Sequence, residues 1–143
     1  MGASHERFFN VGSVELMNIE IRREKLQNEL DSKKTQEERN KLGQFSTPYR
    51  LASEIMDYVK ELVPNENISF LEPSIGTGVF YSAFLSKFGQ TNTRALGFEI
   101  DPHYCDPTRR LWSGFNLELK LADFLETDIG DVPPFDLIVT NPP

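Results

Sequence analysis

The chain reads as an α/β protein: a partial, doubly wound parallel sheet preceded by an N-terminal helical segment. Three observations predict this. From Ile68 onward short apolar runs alternate with helical patterns, the order expected of right-handed crossovers in a parallel sheet with helices on both faces. Four of those runs end in polar or glycine-rich corners, where ligands bind in such sheets. At 143 residues, 38% hydrophobic and 26% charged, the chain has the size and balance of one soluble globular domain with a core of its own.

Residues 14–41 read as helix, with Val14, Met17, Ile21, Leu26 and Leu30 as its apolar stripe and an interruption at Asp31-Ser32. Thr35 with Glu38 forms a capping box that starts a second short helix, closed by Gly43. Residues 1–42 are therefore expected to form a helical arm or hairpin, with residues 14–41 available for contact with a neighbour. Thr47 is the expected N-cap and Pro48 the first residue of the next helix. Leu51, Ile55, Val59, Leu62 and Val63 are its expected buried face, and Pro64 its stop. Strands follow at 68–71, 95–100, 117–121 and 137–140, with helices over 79–88, ended by Gly89, and 108–115.

Charge and cysteine content narrow the function classes. Residues 1–47 carry eight Lys/Arg and eight Asp/Glu, while residues 48–143 carry seven and fourteen, so the formal charge of −7 lies in the second half. Phosphate backbones are met by cations, and an acidic half offers no evident nucleic-acid groove. No run approaches the ~18 apolar residues of a membrane span, and the N-terminus lacks the layout of a signal peptide. Cys105 is the single cysteine, which excludes an internal disulfide and fits a reducing, cytoplasmic setting. The stretch from Asp101 to Asp106 suits a loop better than a tetrahedral metal site, so no metal is expected.

The corners carry the chemistry. Glu72-Pro73-Ser74-Ile75-Gly76-Thr77-Gly78 joins strand to helix with a glycine turn that brings backbone N–H groups near a ligand. It lacks the Lys-Ser/Thr of a phosphate loop, and Tyr81 stands where a dinucleotide fingerprint needs glycine, which disfavours a nicotinamide enzyme. Glu99 falls 21 residues after Gly78, where a carboxylate can accept both hydroxyls of a ribose. Asp123 can accept from an adenine amine, and Phe124 offers a stacking face. Asn141-Pro142-Pro143 is a rigid polar corner whose amide and free carbonyls can grip a planar amine. Each segment alone is an ordinary turn or cap; their order is what carries weight.

Taken together, GQFSTP at 43–48, LEPSIGTG at 71–78, GFEID at 97–101, Ala122-Asp123-Phe124 and Asn141-Pro142-Pro143 resemble the adenine-specific DNA methyltransferases of bacterial restriction–modification systems. These are S-adenosylmethionine-dependent enzymes with a Rossmann-like fold. The resemblance covers residues 40–143 and leaves 1–39 unassigned. It implies an S-adenosylmethionine-binding domain over 43–143. In it Thr47 meets the methionine carboxylate, and Gly76 and Gly78 let the backbone approach the methionine portion. Glu72 lies near the cofactor's amino group and Glu99 holds the ribose. Asp123 takes the cofactor's adenine amine, with Phe124 or Ile100 sandwiching that ring. Asn141 and the carbonyl of Pro142 accept from the target adenine's amine. Implied too are double-stranded DNA as the partner and an adenine flipped out of the duplex.

The family pattern continues past the prolines with an aromatic residue, further strands and a target-recognition region, whereas this chain stops at Pro143. It is therefore expected to be the cofactor-binding part, incomplete at its C-terminus and inactive alone. Methyltransferases acting on a glutamine amide share the Asn-Pro-Pro corner and are the alternative, along with a cofactor-binding fragment without catalysis; the GQFSTP segment favours DNA.

Overall fold

The computed structural model describes residues 3–89, 94–130 and 132–142, with side chains from residue 12 onward. Helices α1 (Ala3–Ser32), α2 (Gln36–Lys41) and α3 (Tyr49–Leu62) lead the chain. Strands β1 (Phe70–Glu72), β2 (Ala95–Glu99), β3 (Leu117–Leu121) and β4 (Leu137–Ile138) follow, with α4 (Val79–Phe88) between β1 and β2 and α5 (Pro102–Leu111) between β2 and β3. All pairings are parallel, in the order β3-β2-β1-β4.

That order explains which face each connection covers. The steps β1 to β2 and β2 to β3 move in one direction, so crossovers of the same hand put α4 and α5 on the same face. There they share a core with α1 and α3: Phe70, Ala95 and Leu119 of the sheet pack with Ile19, Ala52, Met56, Phe84 and Trp112. The return from β3 to β4 runs the other way and covers the opposite face. Its Ala122, Phe124, Ile129 and Phe135 pack on Leu71, Leu96 and Phe98. The expectation of helices on both faces is thus corrected: among the described residues the second face carries this segment, with one 3-10 turn at Phe124–Glu126, and no α-helix.

Local chemistry sets the ends. The capping box forms as read, Thr35 Oγ1 accepting from Glu38 N and Glu38 Oε2 from Thr35 N. Gly43, at φ 61°, closes α2 with paired bonds from Gly43 N to Asn40 O and Gln44 N to Arg39 O, a Schellman motif. Asp101 caps α5 through His103 N at 2.9 Å, with Pro102 at its first position. Asp101-Pro102 reads as a helix start and is one, so the helix runs over 102–111 rather than the expected 108–115, and Pro107 is carried inside it. Asp136 accepts from the amide and hydroxyl of Ser69 at 2.7 and 2.8 Å, which registers β4 against β1.

Two amphipathic readings need correction. On α1 Leu26 and Leu30 pack inward as expected, but Val14, Met17 and Ile21 face solvent, and the buried face continues through Leu16, Ile19 and Arg23. A buried arginine stands in the middle of that face, so a search for apolar spacing alone drifts to the neighbouring stripe. On α3, Ile55, Val59 and Val63 pack on the core as expected, but Leu51 and Leu62 are exposed while Ala52 and Met56 are fully buried. Close approach to α4 selects the small Ala52 and the adaptable Met56 over larger apolar neighbours.

Candidate functional site

Thr47, Glu72, Gly76, Glu99, Ile100, Asp123, Phe124, Asn141 and Pro142 line one cavity of about 510 Å³. It opens at the carboxyl ends of the strands, beside β1, where the strand order reverses to reach β4. This switch point is where two connections leave the sheet in opposite directions, so a cleft forms without any side chain being removed.

The glycine loop forms one wall and is tied at every turn. Ile75 N donates to Phe98 O at 2.8 Å and Gly76 N to Glu99 Oε2 at 3.0 Å. Gly76 O accepts from Thr108 Oγ1, and Thr77 O from Trp112 Nε1, both at 2.9 Å. Gly76 has φ +57° and open space where a Cβ would stand, so its backbone is bare toward the cavity. Gly78 differs: it does not line the cavity, and a Cβ there would lie 2.7 Å from Trp112 Nε1. Its missing side chain makes room for the indole.

Two buried carboxylates face the cavity. Glu99 is held by Gly76 N and by Asp101 N at 2.9 Å, and burial lifts its carboxyl above the ordinary range against these two donors. Glu72 is more isolated. It is 2% exposed, and its Oε2 is buried without a hydrogen-bond partner. Burial first, and then the charge of Glu99, push its carboxyl well above the ordinary range, while Arg23 pulls it partly back. An orphaned carboxylate oxygen lining a cavity costs free energy until a donor or cation arrives.

The far wall is more open. Asp123 caps the 3-10 turn, its Oδ1 accepting from Leu125 N at 2.9 Å, which leaves Oδ2 for a ligand. Phe124 packs edge-on to Phe98, ring centroids 5.2 Å apart, and half-exposed Ile100 lies across the same cavity. Thr47 is not the helix cap that its position suggested. Pro48 occupies the cap without a side-chain bond, and Thr47 Oγ1 instead accepts from Asn141 Nδ2 at 3.1 Å. That bond turns the amide so that Asn141 Oδ1 is left as an acceptor, and Ser74 bonds Thr140 at 3.0 Å to hold the same corner to the glycine loop.

Comparison with known proteins finds similarity to methyltransferases. Over 109 residues the chain is 32% identical to the type II methyltransferase M.AccI of Acinetobacter calcoaceticus, covering 75% of this chain and 19% of that protein. It is 29% identical to the modification methylase CviBIII of Paramecium bursaria Chlorella virus NC1A, covering 76% and 28%. It is 28% identical to the type II methyltransferase M.VspI of a Vibrio species, covering 73% and 26%. The chain is homologous to modification methyltransferases.

It spans less than a third of the length of these relatives. No family model matches it. Among solved structures it superposes on a Pyrococcus horikoshii protein described as an RNA methyltransferase, with TM-score 0.57 and 25% identity over 71% of this chain and 50% of that one. It also superposes on a Listeria monocytogenes protein described as a class I S-adenosylmethionine-dependent methyltransferase, with TM-score 0.56 and 18% identity over 66% and 31%. The fold is therefore the Rossmann-like fold of S-adenosylmethionine-dependent methyltransferases. Among the described residues no helix is long and apolar enough to cross a membrane, and no group of His, Cys, Asp and Glu is arranged to hold a metal ion.

Sequence patterns alone do not mark several residues that line this cavity. Gln27 lines the cavity from α1, and Phe45, Phe80 and Tyr104 add aromatic wall. No local signal marks Gln27, because only the docking of α1 on the glycine loop brings it there. Phe45, mostly exposed within the Gly43–Pro48 segment, was within reach of a closer reading of that segment.

Proposed function

We propose that this cavity binds S-adenosylmethionine and that the chain is the cofactor-binding part of an enzyme methylating the exocyclic amine of adenine in DNA. One observation supports this most strongly. Glu72, whose buried Oε2 has no hydrogen-bond partner, lines the same cavity as Glu99, Asp123 and Asn141, so an ammonium, a ribose, an adenine and a target amine each have a matching acceptor. The residues fit the cofactor: Glu72 takes its ammonium, Glu99 the ribose hydroxyls and Asp123 the adenine amine, with Phe124 and Ile100 beside that ring. Thr47, nearly buried, meets the methionine carboxylate, and the bare backbone of Gly76 adds close contact. Bound there, S-adenosylmethionine supplies a methyl group activated by its sulfonium.

The chain's own part in the reaction is orientation. Asn141 Oδ1, freed by the Thr47 bond, and the carbonyl of Pro142 accept from the two hydrogens of the target amine. An aryl amine's lone pair is delocalised into its ring, and two acceptors beneath the nitrogen favour a pyramidal geometry that turns the pair toward the cofactor side. Catalysis is then mainly positioning and fixed dipoles.

The DNA partner would be engaged by a recognition region outside this chain, since the second half is acidic and the relatives are several times longer. The isolated 143-residue chain is accordingly proposed to bind cofactor without methylating DNA. Two assays test this. The chain is offered tritiated S-adenosylmethionine with adenine-containing duplexes and, separately, a glutamine-containing peptide, where no transfer is expected. A chimera continuing this chain into the C-terminal region of an M.AccI-type relative is expected to label the duplex, and Asn141→Ala to abolish that labelling. Labelling of the peptide instead would overturn the DNA reading, and transfer by the chain alone would overturn its inactivity.

A further inference from the structure

Helix α1 lies outside every segment that carries the family resemblance, yet it delivers a buried charge to the glycine loop. Arg23 is 4% exposed. Its Nε and Nη2 bond the two oxygens of Glu20 at 2.8 and 2.7 Å, and its Nη1 bonds Thr77 Oγ1 at 2.9 Å. Thr77 in turn donates to Gln27 Oε1 at 2.7 Å, and Ser82 on α4 donates to Glu20 at 2.5 Å. Farther along, Gln27 bonds Asp31, Asp31 accepts from Tyr104, and Lys34 pairs with Asp101. A continuous polar seam therefore runs from α4 to α5 along α1, with Thr77 at its centre. A guanidinium is costly to bury, and a surface-facing arm has no need of one. Apolar residues would hold α1 on α4 more cheaply.

We propose that Arg23 is a positioning residue of the cofactor site: it fixes the glycine loop through Thr77 and places a buried cation behind the wall that Thr77 shares with Glu72. This rests on the reading of the cavity as the S-adenosylmethionine site. Two charged groups act on Glu72: Glu99 from β2 and Arg23 from α1. Around them α4 contributes the apolar Val79 and Phe80, and the chain beyond β4 the uncharged Thr140 and Asn141. Arg23 is thus the cation opposing both burial and the neighbouring carboxylate. Without it Glu72 holds its proton to higher pH, and a protonated Glu72 gives up its ion pair with a ligand ammonium.

The test is calorimetric titration of S-adenosylmethionine into the 143-residue chain across a pH series, with folding of each variant followed by circular dichroism. Affinity of the wild type should rise with pH and then level as Glu72 ionises. In Glu20→Gln/Arg23→Met, which removes both charges of the pair, affinity near neutral pH should fall about tenfold or more, and the rise should move to higher pH. Arg23→Gln leaves Glu20 without its cation, so it should move the rise at least as far as the double variant does. Thr77→Val cuts the seam but keeps the charges, so it should weaken binding several-fold without moving the pH profile. Arg23→Lys should likewise keep the profile. Folded charge-removed variants that bind like wild type, or that lose affinity equally at every pH, would overturn the proposal. No binding by the wild type would overturn the cofactor reading, and this inference with it.

Discussion

The two walls of the cavity are built differently. On the glycine-loop side Ile75, Gly76 and Thr77 are all hydrogen-bonded, and Trp112, Thr108 and Arg23 reach the loop from the α5 side and from α1. On the Asn141 side the chain leaves a two-residue strand, Asn141 and Pro142 are exposed, and single bonds from Thr47 and Ser74 hold the corner. Rigid, dry surroundings suit a ligand that is held the same way each time, since pre-organised donors and charges need no rearrangement on binding. An open corner suits a group that must enter and leave. On the proposed reading, Glu72 and Glu99 hold the cofactor's ammonium and ribose at the tied wall, and the open corner at Asn141 receives the target amine.

If so, damage to the first wall should be expensive. Gly78→Ala places a Cβ against the indole at a left-handed φ of +91°, and should destabilise the protein by about 2–4 kcal/mol in denaturant unfolding. A loss below about 1 kcal/mol would mean that the wall gives way easily.

The next effect has the opposite sign. Glu72 has a raised carboxyl pKa in the folded protein, so the folded state binds more protons than the unfolded one above the ordinary carboxylate range. Stability should then fall as pH rises from the ordinary carboxylate range toward the folded pKa. Glu72→Gln should remove that decline and raise the melting temperature of the ligand-free chain near neutral pH. An unchanged melting temperature and pH dependence would show that the carboxylate carries no strain.

The smallest change expected is on the open side. Leu125, 90% exposed on the 3-10 turn, should tolerate Leu125→Ser within about 0.5 kcal/mol. A larger loss in the same denaturant experiment would show that the open wall is more tightly packed than its exposure suggests.

How much of this could be read from the sequence follows the same division. The strands, α4 and its glycine stop, the capping box and the order of corners were legible because each depends on neighbours in the chain. Of the candidate residues, Gly78 alone does not line the cavity, since what stands opposite it, Trp112, lies 34 positions away in sequence. Thr47 was assigned to a helix cap by local rules and is drawn to Asn141 by the fold. The face of α1 was misread because a buried, paired arginine breaks the apolar pattern. These misreadings involve partners distant in sequence, which spacing within a helix or strand cannot reveal.

The central claim is that this cavity is an S-adenosylmethionine site whose cation is met by Glu72. The most direct measurement is calorimetry of S-adenosylmethionine binding to the wild-type chain and to Glu72→Gln at neutral pH, both verified as folded. One site per chain is expected in the wild type, and a loss of at least about tenfold in affinity in the variant. Equal affinity in the two proteins, or no binding to the wild type, would contradict it.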